Sequence, residues 1–301
     1  LEPDQGQAVS GTKYHAADIE ALYAEKLPLL LATMEQENAA LSRRKHEASI
    51  VEYNFDETPE IVSGPVTLKE LRREGKQALE VLAPKYRLVL EPEHGGQIAS
   101  LLCHEQELAS NWIGRIGFLK PSSFICESPM QIRQIRPLAQ GVAVELNRKN
   151  VSGIDLTVNW TFLPDGFTQQ VRVSNATAAE FTLIPRFHSM MRYLAPEGTF
   201  TIGTESFRSE QQNRLLLTAD DSEKLAARLS VNAPLALPSG PVELTAPRQP
   251  QKLIFQTDTP LYGIYLWNSP GADNGSFEPI FMPQNLQPGQ STEFEQQLRL
   301  P

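Results

Sequence analysis

Residues 156–194 read LTVNWTFLPDGFTQQVRVSNATAAEFTLIPRFHSMMRYL, and the punctuation of this stretch decides the fold. Its runs of β-branched and aromatic residues are separated by the turn formers LPDG at 163–166 and SNAT at 174–177, and APEG at 195–198 closes the last run. Strands with hairpin-like connections and no helix between them have this texture. In the last run, extended backbone sends successive side chains to opposite faces. Arg186, His188, Met190 and Arg192 then share one face, and Phe187, Ser189, Met191 and Tyr193 the other. The second face can enter a core. The first is cationic and titratable, so water or a ligand must solvate it.

The same texture extends to both sides. YRLVLEP (86–92), GQIASLLCH (96–104), GVAVELNR (141–148), QKLIFQTD (251–258), LYGIYLWN (261–268) and STEFEQQLRL (291–300) read as further strands. Together they predict a mainly β chain, a large antiparallel β-sandwich. SIVEYNF (49–55) and ALEVLAP (78–84) are expected to add short strands, with a helical turn in TLKELRREG (67–75) between them. Residues 209–250 are looser, and EKLAARL (223–229) is ambiguous.

Upstream, LEPDQG reads as a disordered tail. From about His15 to Glu47, Ile19, Leu22, Tyr23, Leu27, Leu30, Leu31 and Met34 recur at helical steps. The expected organisation is a tail and helical extension over 1–48 and a sandwich domain over 49–301.

Composition narrows the function classes. With 301 residues and 41% hydrophobic content, the chain can build a substantial core. A net charge of −9 argues against a nucleic-acid partner, which needs a basic patch. No apolar run approaches the roughly 20 residues needed to span a bilayer as a helix. The chain begins at Leu1 rather than methionine, which a cleaved secretory signal or a trimmed start would each explain. An exported or periplasmic location is preferred on that ground. Cys103 and Cys126 lack CxxC spacing, so no zinc site is expected; buried free thiols or a disulfide stay open.

YRLVLEPEHGGQIASLLCHEQELA (86–109) resembles the opening of a galactose mutarotase-like domain of the aldose 1-epimerase superfamily, where a Gly-Gly turn joins two strands. The turn at Gly95-Gly96 requires a reversal that a Cβ would obstruct. The 156–194 stretch resembles the family's strand, Asp-Gly turn, strand ending in Asn, and histidine-bearing strand. GIYLWN (263–268), FEPIF (277–281) and LQPGQSTEFEQQLRL (286–300) are similar to its C-terminal strands, one of which carries a glutamate. The likeness runs from about Tyr86 to the C terminus.

The resemblance implies antiparallel sheets with a sugar-binding face. In active members a histidine protonates the ring oxygen while a glutamate takes the anomeric hydroxyl proton, so the ring opens, rotates and closes on its other face. His188 matches that histidine and Glu278 that glutamate. Histidine titrates near neutral pH, and burial can raise a glutamate toward it. The chemistry needs no cofactor and no metal, because opening the substrate supplies the carbonyl. It does require His188 and Glu278 to face one cavity, spaced about a pyranose ring.

Active members also carry a second histidine, and the corresponding region here, NWIGRIGFLKPSSFICESPMQIRQIRPL (111–138), has none. Arg115, Arg133 or Arg136 could orient the substrate instead. Arg186 and Arg192 could simply offset an acidic surface; beside a histidine they would also suit an acidic sugar through bidentate contacts. Trp267 suits a core or a sugar-stacking wall, and Trp112 ranks below it.

Three functions compete. One is a cofactor-free epimerase with His188 as acid and Glu278 as base. The second is a non-catalytic carbohydrate-binding protein on the same scaffold, favoured by the absent histidine. The third is a domain of a larger complex that docks through the N-terminal helix. The expected ligand of the first two is a small or oligomeric sugar.

Overall fold

The computed structural model describes residues 8–9, 12–13, 60–73, 75–104, 106–120, 124–151, 153–192, 199–202, 205–208, 214–218, 225–226, 229, 231, 234–238, 240–246, 249–268 and 275–301. Residues 1–53 and 54–301 form separate compact units. In the first unit the described residues form a short antiparallel ladder, Ala8–Val9 with Thr12–Lys13. The helical pattern expected over 15–47 and the strand at 49–55 lie outside the described residues.

The second unit is a β-sandwich of three sheets. A six-stranded sheet runs in chain order from Glu60–Ser63 to Gln106–Glu107. A nine-stranded sheet contains Gly141–Val151, Ile154–Leu163, Gly166–Asn175 and the final strand Ser291–Arg299 in adjacent positions. An eight-stranded sheet holds Arg115–Lys120, Phe181–Met191, Gly275–Phe281 and Leu261–Asn268 side by side.

The 156–194 stretch supplies strands to two of these sheets. Along Ile154–Leu163 every second side chain is buried, including Leu156, Val158, Trp160 and Phe162, so period-two alternation pins the register. The Pro164-Asp165 turn pairs Leu163 with Gly166 and sends the chain straight back. Asn175 then closes the strand with its own amide. It donates to the carbonyls of Ala179 (2.8 Å) and Leu286 (2.9 Å) and accepts from the Thr177 backbone N–H (2.8 Å). The chain next enters the eight-stranded sheet as Phe181–Met191.

Aromatic side chains join the two larger sheets. Phe187 lies 5.1 Å from Phe294, Phe277 5.1 Å from Phe255, and Phe281 5.1 Å from Phe294, ring centre to ring centre. Burying each ring contributes about 1.5–3 kcal/mol. Since Phe187 and Phe277 point into this core, their strand neighbours at 186, 188, 276 and 278 must point outward.

Gly95 and Gly96 have φ of +74° and +69°, the reversal expected of the turn. A Cβ on Gly95 would stand 2.1 Å from the Cys126 carbonyl oxygen. The Gly96 carbonyl accepts the Trp160 indole N–H at 3.0 Å, tying the six-stranded sheet to the nine-stranded one. Cys103 and Cys126 are both free and buried.

One local expectation is corrected. The described residues of TLKELRREG are not helical: Val66–Arg73 is a strand, paired antiparallel with Lys76–Leu82 from Thr67–Leu82 to Arg73–Lys76. Its charged residues favour helix in isolation, but Val66 and Leu68 bury completely on the neighbouring strands, and packing overrides propensity. In EKLAARL, Leu225 and Ala226 are helical and buried, and the Leu229 N–H reaches the Leu225 carbonyl at 3.0 Å. Among the described residues no helix is long and apolar enough to cross a membrane.

Candidate functional site

Strand pairing assembles the site. Arg115 pairs with His188 across the first two strands of the group. The next ladder runs from Arg186–Ile280 to Met191–Gly275, and its constant register sets His188 opposite Glu278. Glu278 in turn pairs with Tyr265. Directly opposed residues project to the same face with Cβ atoms about 5 Å apart. Arg115, His188, Glu278 and Tyr265 therefore form one line across four strands, on the face away from the phenylalanine core.

The side chains on this line touch. His188 Nε2 lies 3.4 Å from Glu278 Oε1, and their side chains are 14% and 5% exposed. Ser276, two residues along the same strand, donates to Glu278 Oε1 at 2.7 Å. Arg186 Nη1 bonds Glu278 Oε2 directly, so both carboxyl oxygens are engaged. On the other side, the Trp112 ring meets His188 edge to face at 5.5 Å, and the Arg115 guanidinium lies 3.6 Å over the same indole. Arg115 Nε donates to Gln97 (2.6 Å) and Nη1 to Glu127 (2.6 Å).

Burial dominates the electrostatics. It pulls the His188 pKa down to about 3, with the Arg186 and Arg115 charges pushing the same way. The imidazole is thus uncharged at neutral pH. Burial moves Glu278 upward, opposed by Arg186 and by the Ser276 hydrogen bond. Both shifts place a proton on the carboxyl in preference to the imidazole. His188 Nδ1, Arg186 Nε and Trp112 Nε1 are buried with no hydrogen-bond partner among the described residues. Unspent polar atoms grouped on one face are rare in packed interiors and frequent at sites.

Of the residues singled out from sequence, His188, Glu278, Arg186 and Arg115 stand together. Trp267 is half-buried, opposite Ser276, and packs against an apolar cluster containing Tyr265, Ile280 and Leu225. Arg192 lies past the strand end, exposed, with its Nε on the Ala109 carbonyl at 3.3 Å. Arg133 and Arg136 are exposed on Gln131–Leu138 of the nine-stranded sheet. Sequence ranked Trp112 below Trp267, yet Trp112 is the indole that touches His188. Gln97, Ser276 and Tyr265 were not singled out at all. The two-residue step from Ser276 to Glu278 was a readable signal, but only strand pairing could reveal Gln97 and Tyr265.

The expected spacing of the pair about a ring also changes. The two residues are in direct contact, on a face where His188 is the more accessible partner. A cavity of about 400 Å³ lies elsewhere, lined by Val242, Phe255, Thr257, Asp258 and Glu295, and the pair does not border it. Among the described residues no group of three or more His, Cys, Asp or Glu is placed to hold a metal ion.

No protein-family model matches the chain, and no curated protein does. Among solved structures it is similar to a galactose mutarotase-like protein from Clostridium acetobutylicum, at 11% identity and a TM-score of 0.53, over 78% of this chain and 98% of that one. It is also similar to a TPR-domain containing protein from Parabacteroides distasonis, at 12% identity and a TM-score of 0.56, over 83% of this chain. The match spans 54% of that longer protein. At such identities the likeness is one of fold, and that fold is the galactose mutarotase-like sandwich.

Proposed function

We propose that this face binds a sugar and interconverts its anomers, with His188 and Glu278 as a proton-sharing pair. The observation that carries this reading is their contact at 3.4 Å on one outward line of the sheet. The anomeric hydroxyl oxygen and the ring oxygen of a pyranose sit on the same carbon. Acid and base must therefore reach two neighbouring atoms, and a touching pair suits that need better than one set across a ring.

The directions of the two pKa shifts put the proton affinity of the carboxyl above that of the imidazole, so in the state that opens the ring the pair's one proton is on Glu278 and the imidazole is neutral. In the opening step, His188 Nε2 takes the anomeric hydroxyl proton and Glu278 Oε1 gives its proton to the ring oxygen. The bond from C1 to the ring oxygen breaks as the C1 carbonyl forms. The new carboxylate is held by Arg186 and Ser276, and the imidazolium stands against it. After rotation about C1–C2, closure runs the transfers backward, with His188 as acid and Glu278 as base.

Polarimetry of freshly dissolved α-anomers tests this. Wild type should speed the change in rotation, and Glu278→Gln and His188→Ala should each slow it by about 100-fold or more. Equal acceleration by wild type and both variants would end the catalytic reading.

Binding without turnover is the second reading. It draws on the Arg186–Glu278 ion pair, which ties up the carboxyl, and on the missing second histidine. Sugar binding by calorimetry with no rotation change would select it.

A further inference from the structure

We propose that the sugar taken at this face is a hexuronate, recognised through its carboxylate by Arg115, and that Glu127 occupies the Arg115 guanidinium until the ligand replaces it. This inference deepens the sugar-site reading above and rests on it.

Arg115 is an unusual cation for a protein surface. It is 8% exposed, and its guanidinium is fixed on three sides. Nε is held by Gln97 at 2.6 Å, the plane lies 3.6 Å over Trp112, and Nη1 meets Glu127 at 2.6 Å. The first two partners are a scaffold. Gln97 is 5% exposed and itself donates to Glu91, 6% exposed, at 3.4 Å, while His94 Nδ1 lies 2.9 Å from the same Glu91 oxygen. Trp112 is wedged between Arg115 and His188.

The third partner differs in kind. The Glu127 side chain is 64% exposed, just beyond the short strand Phe124–Ile125. A carboxylate already in water loses little by releasing its cation. The cation cannot follow, because Gln97 and Trp112 hold it in place. What remains is a desolvated, pre-aimed guanidinium that needs an anion. Arg186, the other guanidinium nearby, is committed to Glu278, so Arg115 is the one whose partner can be exchanged.

The exchange is like for like. Arg115 pairs with His188 on the adjacent strand, with the Trp112 indole 3.6 Å from the guanidinium and 5.5 Å from the imidazole, so a sugar held at Arg115 by its carboxylate would extend along the indole toward the pair. A neutral hexose has no group that could replace Glu127 without leaving the buried cation unpaired.

The test is calorimetric titration of the full chain with galacturonate and glucuronate, with galactose and glucose, and with glucose 6-phosphate. The hexuronates should bind at least about tenfold tighter than the neutral hexoses. Glu127→Ala removes the internal competitor and should widen that ratio several-fold. Arg115→Gln should bring it close to one, with tryptophan fluorescence checking that the variant is folded. Neutral sugars binding as well as hexuronates, glucose 6-phosphate binding best, or Glu127→Ala failing to widen the ratio would each overturn the proposal. So would a preference that survives Arg115→Gln. Failure of every sugar to bind would bring down the sugar-site reading itself, and this inference with it.

Discussion

His188 Nε2 stands 3.4 Å from Glu278 Oε1, and neither residue reached that position alone. The pairing of Phe181–Met191 with Gly275–Phe281 brings them together, and Arg186 and Ser276 then engage the carboxyl.

The buried imidazole gives stability a pH dependence of definite sign. With a folded pKa of about 3 against an ordinary 6.5, His188 takes up its proton more readily in the unfolded chain. Stability is therefore lost as pH falls from 6.5 toward 3. Relative to His188→Gln, wild type should lose about 2–3 kcal/mol between neutral pH and pH 4.5 in paired urea titrations. Parallel curves for the two proteins would show that the imidazole is not held neutral.

Turnover should survive mild acid. A base with an ordinary histidine pKa would lose most of its activity between about pH 7 and pH 5, whereas this imidazole stays neutral until about 3. Glu278, raised by burial, is more fully protonated at the lower pH. Polarimetric rates corrected for the uncatalysed change should be at least as high at pH 5 as at pH 7. A fall of about tenfold would contradict the proposed proton placement.

Removing Arg186 should expose the cost of the buried carboxyl. Glu278 is 4% exposed, and Arg186 opposes the rise in its pKa. Without the guanidinium that pKa climbs further above its unfolded value, and the protein loses stability as pH rises through the widened window. Arg186→Met should cost about 3–5 kcal/mol at pH 8 and markedly less at pH 5, and Arg186→Met/Glu278→Leu should recover much of the loss. A cost independent of pH would mean that Arg186 acts by packing alone.

The two turn glycines should not be equivalent. Both take left-handed φ, but alanine at Gly95 would meet a backbone oxygen at 2.1 Å, whereas alanine at Gly96 would meet side-chain atoms of Leu146 at 2.7 Å and Met130 at 3.1 Å. Backbone cannot give way as side chains can. Gly95→Ala should cost more than about 3 kcal/mol and Gly96→Ala about 1–2 kcal/mol, read by urea denaturation.

Much of the sandwich was legible because period-two burial is written locally. Val158, Trp160 and Phe162 alternate with polar residues, LPDG turns the chain, and Gly95-Gly96 takes the positive φ that its reversal demands. Where local preference and packing disagreed, the sequence misled. Val66–Arg73 carries a helix-favouring charge pattern, yet the completely buried side chains of Val66 and Leu68 hold it as a strand.

The outward face of His188 and Arg186 followed from alternation along one strand, which is a property of the chain itself. Which groups would meet them there did not. Trp112, Gln97 and Glu127 lie far from residue 188 along the chain and arrive through strand pairing and loop placement, as does Arg115, which sequence could offer only as one of three arginines. Pairing partners are chosen by the whole core at once, whereas face and turn are chosen by a few neighbouring residues. Sequence alone therefore set which side chains could look outward, and the tertiary structure decided that a neutral imidazole, a buried carboxyl and two guanidinium groups share one surface.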